Sequence, residues 1–172
     1  MMDTSAIMGW PQAILLAVAL QRLAELALAR RNTQRLRDAG AVEAGARHYP
    51  LIVAIHGAWL GTLILTTAPS APVHWPLIAL YAALQAGRVW TLATLGRFWT
   101  TRILVLPGTR PVRRGPYRWV RHPNYLIVAL EIPVLPLAFG AWWTAVLFGL
   151  ANIAVLAYRI HIEDATIRSF AG

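Results

Sequence analysis

Residues 115–131, GPYRWVRHPNYLIVALE, decide the fold, because a polar cluster runs directly into an apolar segment there. The first half carries arginine, histidine, tyrosine and proline, and the second half is apolar except for Glu131. Proline is favoured in the first turn of a helix, so Pro123 predicts that a helix begins at HPNY. Free backbone N–H groups at such a helix start point toward bound anions. The stretch therefore predicts an apolar helix whose N-terminus binds a small, polar, partly anionic molecule.

The composition around this stretch is that of a membrane protein. Hydrophobic residues make up 58% of the 172 residues and charged residues only 13%, which is unusual for a soluble domain. Apolar runs of about the ~20 residues that cross a bilayer predict five helical spans, near 9–29, 50–67, 75–95, 123–139 and 141–160. We expect an all-α integral membrane domain over 1–172, with three spans in 1–95 and a cofactor-binding segment, a helical hairpin and a tail in 96–172.

The basic residues are all arginine, and their positions predict the orientation. They give a net charge of +9 and cluster at 29–47 and 96–121, whereas the connections 67–74 and 138–141 contain none. This alternation matches the positive-inside rule and predicts an external N-terminus and a cytoplasmic C-terminus. The opening MMDTSAIMGW lacks a basic n-region, so we expect the first span to be retained. The absence of cysteine excludes disulfides and thiolate metal sites.

Ionisable residues inside the spans are costly and suggest function. Those expected inside are Arg22, Glu25, His56, Arg88, Glu131 and Arg159. With the predicted orientation all lie in the cytoplasmic half of their helices, which favours a shared polar cavity where Glu25, Arg88 and Glu131 bind substrate. Simpler interpretations stay open: Arg22 and Glu25 neutralise each other one turn apart, and His56 is a satisfied interior histidine. Arg88 and Glu131 pair across helices or with a ligand.

The connection between the third and fourth spans has structure of its own. It contains a β-like run, ILVL at 103–106, followed by Pro-Gly and Gly-Pro turn signals. We therefore expect a structured cytoplasmic segment that contributes to the cofactor site. Tryptophans at span ends are expected to anchor the protein at the membrane interface; they are Trp10, Trp75, Trp142 and Trp143.

The motif GPYRWVRHPNY, followed by RIHIED at 159–164, resembles the isoprenylcysteine carboxyl methyltransferase family of integral-membrane enzymes. That family carries a tyrosine, then Arg-His-Pro-x-Tyr, a helical hairpin, and an arginine four residues before an acidic pair. The matching positions are Tyr117, Arg121, His122, Pro123, Tyr125, Arg159, Glu163 and Asp164. Ile127 departs from the pattern, because the family often has glycine there. The first half, with QRLAELALARRN, is similar to compact bacterial members, so we expect a multi-pass protein of a bacterial cytoplasmic membrane.

The resemblance implies an S-adenosylmethionine-dependent methyltransferase. It assigns Arg159 to the acceptor's acid group and Glu163 to catalysis and to the positively charged part of the cofactor. The implied cofactor-binding residues are Thr109, Arg110, Pro111, Val112, Tyr117, Arg121, His122, Pro123, Asn124, Tyr125, Glu163 and Asp164. Arg159 and Glu163 are four residues apart and share one helix face. An ordinary exposed salt bridge is the alternative interpretation of that pair.

The acceptor is less narrowly defined than the reaction. The family suggests the carboxylate of a lipophilic, prenylcysteine-like substrate, and we expect a lipophilic acceptor and membrane lipid as partners, without nucleic acid or metal. The alternatives are a hydroxyl of a lipid-like polyketide, such as an alkylpyrone or alkylresorcinol, and a phospholipid amine. A membrane scaffold without enzymatic activity is the alternative from another class.

Overall fold

The computed structural model describes residues 8–46, 49–109 and 112–171, with side chains described as far as Thr166. In this part of the chain five α-helices follow one another, joined by a small sheet and short turns. They are α1 (Trp10–Asp38), α2 (Tyr49–Thr66), α3 (Trp75–Leu95), α4 (Pro123–Ala138) and α5 (Trp142–Ala171). The predicted helical architecture is confirmed, since each helix begins at or next to the start of a predicted span.

Three of these helices are long and apolar enough to cross a membrane. They are α1, α2 and the part of α5 over Trp142–Thr166. The helix α4 is apolar but has only 16 residues, and α3 carries Gln85 and Arg88 within its 21 residues. The helices thus support a membrane protein, while the count of five spans and the orientation stay predictions.

Two helices extend beyond their predicted spans. Residues 30–38, expected in a cytoplasmic connection, continue α1 to Asp38. The residues after 160 likewise continue α5, which places Glu163 on the same helix as Arg159, as predicted. Hydropathy marks only the apolar part of a helix. The polar end of α1 is favoured by Arg35 and Arg37, whose charges lie in its last turn near the negative end of the helix dipole.

Successive helices alternate in direction, and several ends meet on one side of the bundle. Gln12 Nε2 donates a hydrogen bond to the Thr67 carbonyl over 2.8 Å, and the His74 amide donates to the Ala138 carbonyl over 2.9 Å. Gly9 touches the α2–α3 connection so closely that a Cβ there would lie 2.0 Å from the Pro69 carbonyl oxygen. The tryptophans predicted as interfacial anchors, Trp10, Trp75, Trp142 and Trp143, are all exposed at this side.

The helix α4 packs against α3 and α5 at the centre of the protein. Pro136 has no N–H to donate to the Ile132 carbonyl four residues earlier. The buried Trp59 of α2 replaces that donor, with its Nε1 at 3.0 Å from the carbonyl oxygen. Asn152 of α5 donates to the Val128 carbonyl over 3.4 Å. Trp59 of α2 therefore satisfies a carbonyl that Pro136 leaves free, and Asn152 of α5 adds a second side-chain contact to the α4 backbone.

A two-stranded antiparallel sheet joins the α1–α2 connection to the segment before α4. Its strands are β1 (Val42–Ala44) and β2 (Ile103–Val105), so the predicted β-like run is confirmed and its partner strand was not predicted. Glu43 accepts hydrogen bonds from Arg37 and Arg102, each 2.5 Å long. Burial acts to raise the pKa of Glu43, but the bonds from Arg102 and Arg37 outweigh it and lower the pKa.

Candidate active site

The chain reaches α4 through a tight 3₁₀ turn, Gly115–Arg118. Gly115 has a positive φ of 55°, and a Cβ there would lie 2.6 Å from Thr94 Oγ1 of α3. Only glycine therefore lets the turn approach α3 this closely. The Trp119 ring meets the Trp90 ring edge-on at 5.9 Å. The turn is thereby held against α3 and places Tyr117 beside the start of α4.

The predicted catalytic pair Arg159 and Glu163 is joined by a third side chain. The Tyr125 hydroxyl donates a hydrogen bond to Glu163 Oε2 and accepts one from Arg159 Nε over 2.7 Å. Arg159 is only 7% exposed, and its guanidinium also lies 5.5 Å from the Tyr125 ring centroid. The bond through Nε leaves its two terminal nitrogens without a hydrogen bond to any described residue. The pair is thus not an ordinary exposed salt bridge, but a tyrosine-bridged arrangement with spare donors.

His122 and Asp164 extend this arrangement toward solvent. The His122 ring stacks on the Tyr125 ring, with centroids 5.3 Å apart and planes 17° apart. Its Nε2 lies 3.3 Å from Asp164 Oδ1 and its Nδ1 lies 3.8 Å from Glu163 Oε1. Arg121, which is mostly exposed, donates to the same Asp164 oxygen over 3.1 Å. The acidic pair on α5 therefore faces the motif that precedes α4.

The first turn of α4 holds two further predicted residues. Pro123 is buried in that turn, and the Asn124 Oδ1 atom is buried without a hydrogen-bond partner among the described residues. A buried amide oxygen without a partner is costly, and a ligand with an N–H or O–H donor would satisfy it. Nearby, burial and the negative charge of Glu163 raise the pKa of Tyr117, so this phenol stays neutral at physiological pH.

The predicted backbone contacts at 109–112 are only partly described. Thr109 is exposed and closes a turn, with its amide and its hydroxyl both bonded to the Leu106 carbonyl. Arg110 and Pro111 lie outside the described residues. Val112 lines a groove at the end of α3 together with Arg113 and Arg114. The involvement of this stretch in cofactor binding stays a prediction.

Three of the four predicted substrate residues, all except Arg159, meet in a second group. We name it the ion cluster, and its members are Gln21, Arg22, Glu25, Gln85, Arg88 and Glu131. Arg88 binds Glu25 through two donors, Nε at 2.8 Å and Nη2 at 2.7 Å, and donates to Glu131 over 3.1 Å. Arg22 pairs with Glu25 at 3.0 Å and with Glu131 at 2.8 Å. Two arginines and two carboxylates thus neutralise one another between α1, α3 and α4. Of the two alternatives expected for Arg88 and Glu131, pairing across helices or with a ligand, the structure shows pairing across helices.

The glutamines of the ion cluster were not predicted. Gln21 donates to Glu25 and Gln85, and Gln85 donates to Glu131. Their sequence signal was weak, although each lies one helical turn from a charged member of the cluster. Glu131 follows Tyr125 by six residues on α4, which corresponds to about 9 Å along the helix axis. The ion cluster therefore lies deeper in the bundle than the tyrosine-bridged site.

His56, predicted to be a satisfied interior histidine, has one ring nitrogen bonded within its own helix. Its Nδ1 lies 2.9 Å from the Ile52 carbonyl oxygen. Ile127, where the motif departs from the family pattern, packs beside Gly87 of α3; a Cβ at Gly87 would meet the Ile127 side chain at 3.6 Å. This is an ordinary contact distance, so Ile127 fits against α3 without a clash.

Comparisons with known proteins identify relatives of this chain and its family. An uncharacterized protein of Bacillus subtilis, YpbQ, is 39% identical over 163 residues, covering 92% of this chain and 97% of that protein. An uncharacterized protein of Haemophilus influenzae is 27% identical over 154 residues, covering 85% of this chain and 88% of its own length. No solved structure shows a significant match. The sequence pattern of a methyltransferase family matches residues 77–169, which contain the whole tyrosine-bridged site, and the chain therefore belongs to the isoprenylcysteine carboxyl methyltransferase (ICMT) family.

Proposed function

We propose that this protein is an S-adenosylmethionine-dependent O-methyltransferase that methylates the carboxylate of a lipophilic, prenylcysteine-like acceptor. The observation that carries the proposal is the bridge from buried Arg159 through Tyr125 to Glu163. It sets a cationic group with spare donors next to an anionic group, at the end of an apolar bundle. Methyl transfer from a cationic methyl donor to an anionic methyl acceptor can use both groups, because the carboxylate attracts the donor and the guanidinium attracts the acceptor.

The residues around Tyr125 fit the cofactor chemically. S-adenosylmethionine carries a sulfonium and an ammonium group, and when bound it supplies the electrophilic methyl group. The two carboxylates of Glu163 and Asp164 attract such charges, and stacked aromatic rings bind cations on their faces. The buried Asn124 Oδ1 offers an acceptor to a donor group of the ligand. The residues that would hold the cofactor are Tyr117, His122, Pro123, Asn124, Tyr125, Glu163 and Asp164.

Arg159 would bind and orient the acceptor. A carboxylate is already ionised at neutral pH, so the reaction requires no strong base. The bond from Nε to Tyr125 fixes the plane of the guanidinium, and its two terminal nitrogens can then donate to a carboxylate in the paired geometry that arginine favours. The main contribution of the protein is orientation, which lowers the entropic part of the barrier. The apolar tail of the acceptor would lie among the helices and enter from the lipid.

A hydroxyl acceptor on a lipid-like polyketide is the second candidate, and one contact favours it. The Tyr125 hydroxyl donates to Glu163. The tyrosine therefore links the position proposed for the methyl acceptor to a carboxylate that can take up a proton. A phenol or enol has to lose its proton during methylation, and this arrangement gives that proton a route. A neutral amine acceptor is less compatible with Arg159 at that position.

The test is titration of the detergent-purified protein with S-adenosylmethionine and S-adenosylhomocysteine. We expect binding in the micromolar range that is lost in His122→Ala and Glu163→Ala. His161→Ala is the matched control, since His161 is exposed on the same helix, and it should bind as the unaltered protein does. Folded protein that binds neither compound would contradict the proposal and leave the non-enzymatic scaffold as the better explanation.

The acceptor class is tested by methyl transfer from a labelled cofactor. Prenylcysteine analogues and fatty acids represent carboxylates, and alkylresorcinols and alkylpyrones represent hydroxyls. A methyl ester releases its label as methanol in mild base, whereas an aryl or enol ether is more resistant. Arg159→Lys keeps the charge but loses the paired donors, so we expect it to impair carboxylate methylation more than cofactor binding.

The proposed location is a bacterial cytoplasmic membrane, with the N-terminus outside and the site on the cytoplasmic side. The arginine distribution supports this orientation. Reporter fusions after residues 40, 70, 110 and 140 would test it. We expect cytoplasmic reporters to be active after 40 and 110 and external ones after 70 and 140, and the reverse pattern would contradict the orientation.

A further inference from the structure

A groove at the end of α3 includes Val112, which is predicted to contact the cofactor, but none of the residues around Tyr125 that carry the proposed reaction. It has a volume of about 530 Å³ and is lined by Leu95, Gly96, Arg97, Phe98, Val112, Arg113 and Arg114; we name it the arginine groove. Its walls combine three guanidinium groups with three apolar side chains. We propose that the arginine groove binds the phosphate headgroup of an anionic membrane phospholipid.

The charge of the groove is uncompensated within the described part of the chain. Arg97 lies over the Phe98 ring at 4.9 Å, Arg114 donates to the Thr94 carbonyl over 3.3 Å, and no described carboxylate pairs with either of them or with Arg113. Other arginines of the same polar side behave differently. Arg37 and Arg102 share Glu43, and Arg121 pairs with Asp164. The three groove arginines therefore remain available to an external anion.

Phosphate is the anion whose chemistry fits best. Arginine presents planar, forked donors that match phosphate oxygens, and several guanidiniums around one site suit a group with more than two acceptors. The apolar side chains of Leu95, Phe98 and Val112 have no hydrogen-bond donor for a free phosphate ion. They do offer contact to the glycerol and first methylenes of a lipid.

The position of the groove favours a lipid over a soluble ligand. It lies where α3, an apolar helix, ends at Leu95. Close to it are Trp90 and Trp119, which are 50% and 71% exposed, and exposed tryptophans at helix ends are typical of the membrane interface. Arginines near a membrane surface attract anionic lipids. A headgroup in the groove would also hold Arg113 and Arg114, which directly precede the Gly115–Arg118 turn, against α3.

The experiment compares lipid retention in two triple variants with equal loss of charge. Full-length protein is reconstituted in nanodiscs of phosphatidylcholine with phosphatidylglycerol as the anionic probe, and retained phosphatidylglycerol is counted by native mass spectrometry. The groove variant is Arg97→Gln/Arg113→Gln/Arg114→Gln. The control is Arg30→Gln/Arg31→Gln/Arg35→Gln, because these arginines are exposed on α1 outside the groove. We expect retention to fall by about tenfold or more in the groove variant and to change little in the control.

Three further arms make the outcome decisive. Arg113→Gln alone removes a side chain that contacts no described carboxylate, so it should fold normally and weaken retention by about fivefold. Inorganic phosphate and S-adenosylhomocysteine are added separately as competitors, and neither should displace the lipid. Equal loss in both triple variants, or full retention in Arg113→Gln, would overturn the proposal. Displacement by inorganic phosphate would assign the groove to a soluble anion, and displacement by S-adenosylhomocysteine would assign it to the cofactor site; either result overturns it too. None of these arms depends on methyl transfer.

Discussion

Replacing Glu131 by glutamine should destabilise the protein strongly while leaving its shape unchanged. The Glu131 side chain is fully buried and contacts Arg88 at 3.1 Å, Arg22 at 2.8 Å and Gln85 at 3.0 Å. Glutamine preserves the size and one acceptor oxygen. It removes one of two negative charges, so the ion cluster changes from neutral to a net charge of +1.

The magnitude follows from the cost of a buried charge without its partner. Removing one member of a buried ion pair typically costs about 3 to 5 kcal/mol. Glu25 still contacts both arginines in the variant, so we expect the lower end, about 3 kcal/mol. For a chain of this size, that corresponds to a fall in melting temperature of roughly 6 to 12 °C. Removing one charge of each sign, in Arg22→Gln/Glu131→Gln, should recover much of the loss because the cluster is neutral again.

Thermal unfolding in detergent, followed by tryptophan fluorescence, measures both variants. Asp38→Asn is the control, because Asp38 is an exposed carboxylate whose contact is with Gln34 on the same helix, and its melting temperature should stay close to that of the unaltered protein. A Glu131→Gln protein as stable as the unaltered one would refute the reasoning. The same conclusion would follow if the double variant lost more stability than Arg22→Gln and Glu131→Gln lose when their separate losses are added. The first of these results would favour the earlier expectation that Glu25, Arg88 and Glu131 bind substrate.

Three further predictions concern single contacts. Tyr125→Phe removes the bridge between Arg159 and Glu163 and should weaken S-adenosylhomocysteine binding by about tenfold, as expected for one charge-assisted hydrogen bond; calorimetric affinity equal to that of the unaltered protein would contradict this. Trp59→Phe leaves the Ile132 carbonyl without its donor and should cost about 1 to 3 kcal/mol of stability, whereas an unchanged melting temperature would show that another donor replaces it. Glu43 has a lowered pKa, so the stability that its ionised form contributes is present above its unfolded pKa of about 4.3 and is lost as the pH falls through the folded pKa. Glu43→Gln should therefore flatten the dependence of melting temperature on pH below about pH 5. Parallel profiles for the variant and the unaltered protein would show that the contacts of Glu43 with Arg37 and Arg102 do not stabilise the fold.

The helix positions could be predicted because they depend on local signals. Tryptophan or proline stands within the first two residues of each described helix, as Pro50 does in α2, and apolar runs mark each interior. The C-terminal ends of α1 and α5 could not be predicted this way, because these helices continue into polar sequence that hydropathy does not distinguish from a loop. The strand β1 was missed for a related reason: Val42–Ala44 carries a charged residue and becomes a strand only by pairing with β2.

The site could be predicted as a set of residues but not as a set of contacts. Arg159 and Glu163 suggested a direct pair from their spacing, and the structure instead places Tyr125, from 34 residues before Arg159, between them. Spacing along one helix carries no information about a side chain inserted from another. The same limit applies to Trp59, whose bond to Ile132 depends on a missing N–H in α4 and on the packing of α2 against it.

The prolines of α4 also affect how the protein can be made. The Ile132 carbonyl depends on Trp59 of α2, and Glu131 depends on arginines of α1 and α3. In lipid, an unsatisfied carbonyl or an unpaired carboxylate opposes insertion. All three supporting helices precede α4 in the chain and are synthesised before it leaves the ribosome. If α4 is the fourth span, as the sequence predicts, these partners are already in the membrane when α4 inserts, whereas a fragment beginning at α4 would reach the translocon without them.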